Sequence, residues 1–131
     1  MIEKYLSTTY EKGARGPKKY DCWGMARAVR HEVFGRALLP SLDDVTPGDM
    51  RSTTKGAESI HSGILAYDVG LRAGAVAQAH IGRLCVHVGV VVDVDGMLMI
   101  LETDNPFGPT LTKPALFVSR YTKVTFYDDQ P

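Results

Sequence analysis

The segment LCVHVGVVVDVDGMLMILET, residues 84–103, decides how this chain folds. Its run of β-branched residues reads as strand. Asp95-Gly96 is a two-residue turn signal that joins antiparallel strands, so MLMILET (97–103) returns beside LCVHVGVVVDV (84–94). With a two-residue loop, Val94 pairs with Met97. Counting back sets Gly89 opposite Glu102 and His87 opposite Asp104. Side chains alternate along a strand, so these four share one face. A carboxylate diagonal to the imidazole is then within reach, and Gly89 has no side chain to obstruct it. A three-residue loop would put Leu101 and Thr103 there instead, so the register, and the choice between Glu102 and Asp104, stay open at this point. The same alternation places Cys85 on the His87 face, as a packing residue beneath it.

Before this hairpin the hydrophobic period is helical. In KKYDCWGMARAV (18–29) Asp21 is a good N-cap, and Cys22, Met25, Ala26, Val29 and Val33 recur on one face. Arg27, Arg30 and Glu32 take the other side, and Gly35 is a plausible stop. GARGPKK (13–19) and SLDDVTPGD (41–49) read as loops. AESIHSGILAYDV (57–69) fits a second helix weakened by Gly63, and AVAQAH (75–80) a strand. NPFGP (105–109) is a turn, and ALFVSRYTKVTFY (115–127) one or two further strands. A helix followed by antiparallel strands is an α+β arrangement.

The chain has 131 residues, which suits one domain with one core, spanning 1–131. Its 15 basic and 15 acidic residues balance, which gives no electrostatic case for a nucleic-acid partner. No apolar run reaches the roughly 20 residues of a membrane span. MIEKYLSTTY (1–10) lacks the apolar core of a signal peptide, so synthesis in the cytoplasm is expected. Two cysteines are too few for a disulfide framework.

Cys22 sits at the first position of its helix, where the positive end of the dipole favours thiolate over thiol. A thiolate is a competent nucleophile, although a small residue opening a buried face would look the same. A nucleophile needs a base. Of the four histidines, His31 lies too far along the helix of Cys22, and His61 and His80 are expected at the surface. His87 lies among valines, where a polar ring must be satisfied or functional. Cys85-x-His87 could instead open a zinc site with Cys22 and His80, but the spacing matches no standard zinc pattern. No metal or other cofactor is expected.

YDCWGM (20–25) resembles the cysteine motif of the NlpC-type cell-wall peptidases, which are papain-like cysteine hydrolases. CVHVGVVVDVDGMLMILET (85–103) resembles the family's histidine strand and hairpin, and LRAGAVAQ (71–78) the segment leading into it. Tyr10-Glu11-Lys12-Gly13 resembles the element before the cysteine, and FGRALLP (34–40) the one after the helix. The resemblance implies a papain-like domain with Cys22 as nucleophile, His87 as base and Glu102 as third member; the open hairpin register keeps Asp104 as the alternative. Tyr10, Asp21 and Trp23 would serve the substrate or oxyanion. It also implies hydrolysis of peptidoglycan stem peptides, at bonds between D-glutamate and diaminopimelate. Trp23, where the family usually has serine, resembles a branch found in phage tail-assembly proteins, which makes tail proteins candidate partners. Ala75 replaces an aspartate and Glu102 a histidine. Residues 41–70 have no counterpart. A non-catalytic tail-tip component and a thioester-using acyltransferase are the alternatives on the same scaffold.

Overall fold

The structure, a computed structural model, describes residues 1–46 and 48–131. Pro47, in the expected loop 41–49, lies outside them. In chain order the elements are α1 (Glu3–Leu6), β1 (Thr9–Tyr10), β2 (Lys19–Tyr20), α2 (Cys22–Glu32) and α3 (Met50–Gly63). They continue with β3 (Tyr67–Asp68), β4 (Val76–Ile81), β5 (Leu84–Val94), β6 (Met97–Asp104), β7 (Gly108–Thr112), α4 (Pro114–Ser119) and β8 (Lys123–Asp128). This is an α+β fold, with four helices among the described residues and a six-stranded antiparallel sheet ordered β3-β8-β4-β5-β6-β7.

The β5–β6 hairpin has the expected two-residue loop. Val94 pairs with Met97, and the ladder runs back to Val90 opposite Leu101. Asp95 and Gly96 have φ of +52° and +85°, the mirror-image turn whose twist matches its flanking strands.

The sheet buries both faces. On one, Val76, Val88, Val90, Val92 and Leu101 pack against Met25, Ala26 and Val29 of α2 and Ile60 of α3. On the other, Ala75, Ala77, Ala79, Val91 and Ile100 form a smaller cluster with Phe117 of α4. The helical face expected for α2 is the buried one: Met25, Ala26 and Val29 are sealed, with Cys22 and Val33 packed at its margin.

Arg30 departs from expectation, because it is wholly buried rather than on a solvent side. Its guanidinium donates to the Gly74 carbonyl at 2.9 Å and to Asp128 at 2.8 Å, so it is a neutralised strut between α2 and β8. Segment 115–127 is not strand throughout: Pro114 opens α4 at its first turn, and only Lys123 onward is extended. The second helix starts at Met50, capped by Asp49, rather than at Ala57, and β7 occupies residues beginning within the expected turn.

Candidate active site

Asp21 sets the position of Cys22. Its backbone is extended and its carboxylate accepts the Gly24 N–H at 2.8 Å, which caps α2 and makes Cys22 the first helical residue. Its second oxygen accepts from the Gly13 N–H at 3.1 Å and from Arg15 at 2.8 Å, tying the preceding loop to the helix tip. Gly24 completes this junction. A Cβ there would stand 2.4 Å from the Ala14 carbonyl oxygen, so the loop and helix meet only because position 24 has no side chain. Trp23 donates from its indole to the Pro40 carbonyl at 3.0 Å, anchoring the chain beyond α2.

His87 is positioned by an irregularity that the alternation rule does not foresee. Pairing along β4 jumps from Ala79–His87 to His80–Cys85, which leaves Val86 as an extra residue. The bulge breaks the parity of β5. Cys85 therefore packs with Val88, Val90 and Val92 beneath α2, while the ring of His87 lies beside Phe117 and Tyr121, at 6.0 and 6.3 Å between centroids. The expected shared face for Cys85 and His87 is thus not formed. Burial pushes the Cys85 thiol up to about 12, with the Cys22 sulfur nearby adding to the effect, so Cys85 stays a neutral core residue.

Nε2 of His87 lies 2.9 Å from Oε1 of Glu102, and both side chains are buried. An ionised carboxylate only accepts, so Nε2 carries the donated proton. Asp104 stands 3.8 Å from Nδ1 and is largely exposed. Gly89 permits the close hairpin: a Cβ there would fall 2.7 Å from the Ile100 Cγ2 and 3.6 Å from the Glu102 Cβ. The other oxygen of Glu102 accepts from the Thr112 hydroxyl and, at 3.0 Å, from Arg120. Neither was expected from sequence. Thr112 lies on a strand that begins inside an apparent turn, and Arg120 follows a helix that reads as strand.

These contacts set the charges. Burial works against a protonated His87, but interactions with the sulfur of Cys22 and with Glu102, and the negative charge of Asp104, outweigh it and push the ring up to about 10. The Cys22 side chain thus stands close enough to the imidazole to act on it, and both border one cavity. Burial likewise opposes charge on Glu102, yet its bonds from His87 and Thr112 and the nearby Arg120 hold it below the usual carboxylate range. Burial raises the Tyr10 phenol, with Cys22, Asp104 and Asp21 nearby adding to the effect, which keeps it a hydroxyl donor.

Cys22 and His87 line one cavity of about 230 Å³. Tyr10, Asp21, Trp23 and Asp104 also line it, so every expected site residue except Glu102 borders this space, and Glu102 lies behind His87. Leu42, Val45, Thr53 and Ala57 close one side. These four residues, in a stretch with no counterpart among the family motifs, form a wall of the cleft. None of the other three histidines lines it: His31 meets the Arg36 carbonyl at 2.8 Å, and His61 stacks on Tyr127 at 5.0 Å. Both His61 and His80 are half-buried rather than at the surface. Among the described residues no three His, Cys, Asp or Glu side chains converge as metal ligands, so the zinc grouping is not assembled. No helix among them is long and apolar enough to cross a membrane. No family model and no curated protein sequence matches this chain.

Proposed function

We propose that this chain is a cysteine endopeptidase or amidase that hydrolyses amide bonds of peptidoglycan stem peptides, of the D-glutamate–diaminopimelate type, on a papain-like scaffold. One observation carries the reading: a cysteine at a helix N-terminus and a histidine backed by a buried carboxylate line the same cavity. The peptide substrate and the tail-associated setting rest on the resemblance of YDCWGM and its companion motifs to the NlpC-type family.

In this mechanism Cys22 and His87 form a thiolate–imidazolium pair, supported at the sulfur by the α2 dipole and at the ring by Glu102. The sulfur attacks the scissile carbonyl. The N–H of Cys22, which has no partner within its own helix, points at the developing oxyanion, and the Tyr10 hydroxyl is a second candidate donor. His87 gives its proton to the leaving amine, and a thioester remains. Water then loses a proton to His87 and releases the acid and the free thiol. Both steps use only groups that border the cavity, together with Glu102 behind it.

Purified peptidoglycan tests the reading. Wild-type protein is expected to generate new amine termini, and Cys22→Ala to generate none. Equal release from both would end the proposal. An acylated acceptor in place of the free acid would replace it with the transferase reading.

A further inference from the structure

Glu102 has two oxygens and only one of them serves His87. A buried carboxylate with its second oxygen unpaired would be costly to ionise and free to turn. Here that oxygen is held from two directions. Thr112, at the end of β7, donates its hydroxyl, and Arg120, in the turn between α4 and β8, donates from its guanidinium at 3.0 Å. The same turn backs the imidazole: Tyr121 lies on the ring at 6.3 Å with 27° between planes, and Phe117 flanks it at 6.0 Å. One segment thus grips the carboxylate and supports the ring. Arg120 has its side chain 42% exposed, whereas Glu102 is 6% exposed, so the guanidinium closes the carboxylate off from solvent.

We propose that Arg120 and Thr112 are positioning residues that hold Glu102 ionised and aimed at Nε2 of His87, leaving Nδ1 to Cys22. This rests on the reading of Cys22 and His87 as the reacting pair. Four ionisable groups face His87: Cys22 from α2, Glu102 and Asp104 from β6, and Tyr121 from the α4–β8 turn. Charge alternates along the line Cys22, His87, Glu102, Arg120. Removing the last member leaves Glu102 easier to protonate and free to rotate away from the ring.

The test uses the full chain and two readouts against pH: the ring nitrogens of His87 by ¹⁵N NMR, and the rate at which iodoacetamide alkylates Cys22. In the wild type the Nε2–H bond to Glu102 should persist well into acid. In Arg120→Gln it should be lost at a higher pH, and alkylation at neutral pH should slow about tenfold, the lower end for a charged hydrogen bond. Thr112→Val should act in the same direction, and Arg120→Lys should recover most of the rate. In a Glu102→Gln background Arg120→Gln should change nothing further, a result that a purely structural role would not give. Unmoved transitions in both Arg120→Gln and Thr112→Val, or an equal loss in the Glu102→Gln background, would overturn the proposal. Wild-type hydrolysis of peptidoglycan separates the two ideas. Shifted transitions without hydrolysis sink the peptidase reading alone, and hydrolysis with unmoved transitions sinks this one alone.

Discussion

His87 and Glu102 meet through a 2.9 Å contact between Nε2 and Oε1, while Asp104, two residues further along β6, stays 3.8 Å from the other ring nitrogen and mostly in water. The buried carboxylate should therefore matter more than the exposed one. Glu102→Gln is expected to lower activity about tenfold or more, as befits a charged hydrogen bond. Asp104→Asn should cost less than about fivefold, because exposed ion pairs are weak. A larger loss in Asp104→Asn would reverse the assignment.

The same pair predicts a pH dependence. His87 in the fold is pushed up to about 10, above its unfolded value of ~6.5. A raised value means that the charged ring stabilises the fold fully below about pH 6.5, and that this contribution fades as pH climbs toward 10. Activity that needs the imidazolium should fall over the alkaline end of that window. Glu102 favours the charged ring, so Glu102→Gln should move the alkaline limb to lower pH. A limb that stays in place, measured by Cys22 alkylation or by hydrolysis, would contradict the account.

The two thiols should also separate cleanly. Both cysteines line the cavity, but Cys22 is half-buried, whereas Cys85 is fully buried with its thiol pushed up to about 12. Iodoacetamide near neutral pH should modify Cys22 alone in folded protein and reach Cys85 only after denaturation. A chelator should leave both labelling and hydrolysis unchanged. Activity that is lost on chelation and restored by zinc would favour a metal site.

Much of this arrangement is legible in the residues because it follows from local rules. The Asp21 cap, the Asp95-Gly96 turn and the hairpin register each depend on a few neighbouring positions, and together they place Cys22 at a helix tip and Glu102 diagonal to His87. What could not be read depends on distant partners. The bulge at Val86 arises where β5 pairs with β4, and it moves Cys85 to the opposite face. Arg30 reads as a surface cation until Asp128, 98 residues away, comes to neutralise it. Ala-Leu-Phe-Val (115–118) has strand composition, yet Pro114 and the packing of Phe117 make it helix. The cleft wall of Leu42, Val45, Thr53 and Ala57 carries no local chemical signature at all.

Gly24 offers a test of the junction that presents the cysteine. A Cβ would stand 2.4 Å from a backbone carbonyl, which cannot swing aside as a side chain can. Gly24→Ala is expected to destabilise the fold by about 1–3 kcal/mol, the usual range for overpacking. It should also reduce Cys22 reactivity by prying the capped helix tip from the Ala14 loop. Gly63→Ala is the control: nothing lies within 4 Å, and alanine at this helix end should be neutral or stabilising by up to ~1 kcal/mol. Denaturant unfolding that ranks these two variants the other way round would show that the close approach does not constrain the site.

Asp128 tests how the far end of α2 is held. Its side chain is fully buried and meets Arg30 at 2.8 Å and Arg72 at 2.9 Å, with Arg36 at 3.4 Å. Burial works against its charge, but the bonds from Arg72, Asp129 and Arg30 prevail and hold the carboxyl near 2. A lowered value means that the stabilisation is complete above about pH 4 and is lost as pH falls through about 2. Asp128→Asn leaves the buried Arg30 guanidinium only the partly exposed Asp129, at 3.2 Å, as counter-charge, so it should cost about 3 kcal/mol at neutral pH. It should also flatten the fall in stability between pH 4 and 2. Asp129→Asn, at a carboxylate with a quarter of its side chain exposed, should cost less on both measures. Were the two variants to unfold alike across this range, the ion cluster would not be what fixes α2, and with it the distance between Cys22 and the sheet.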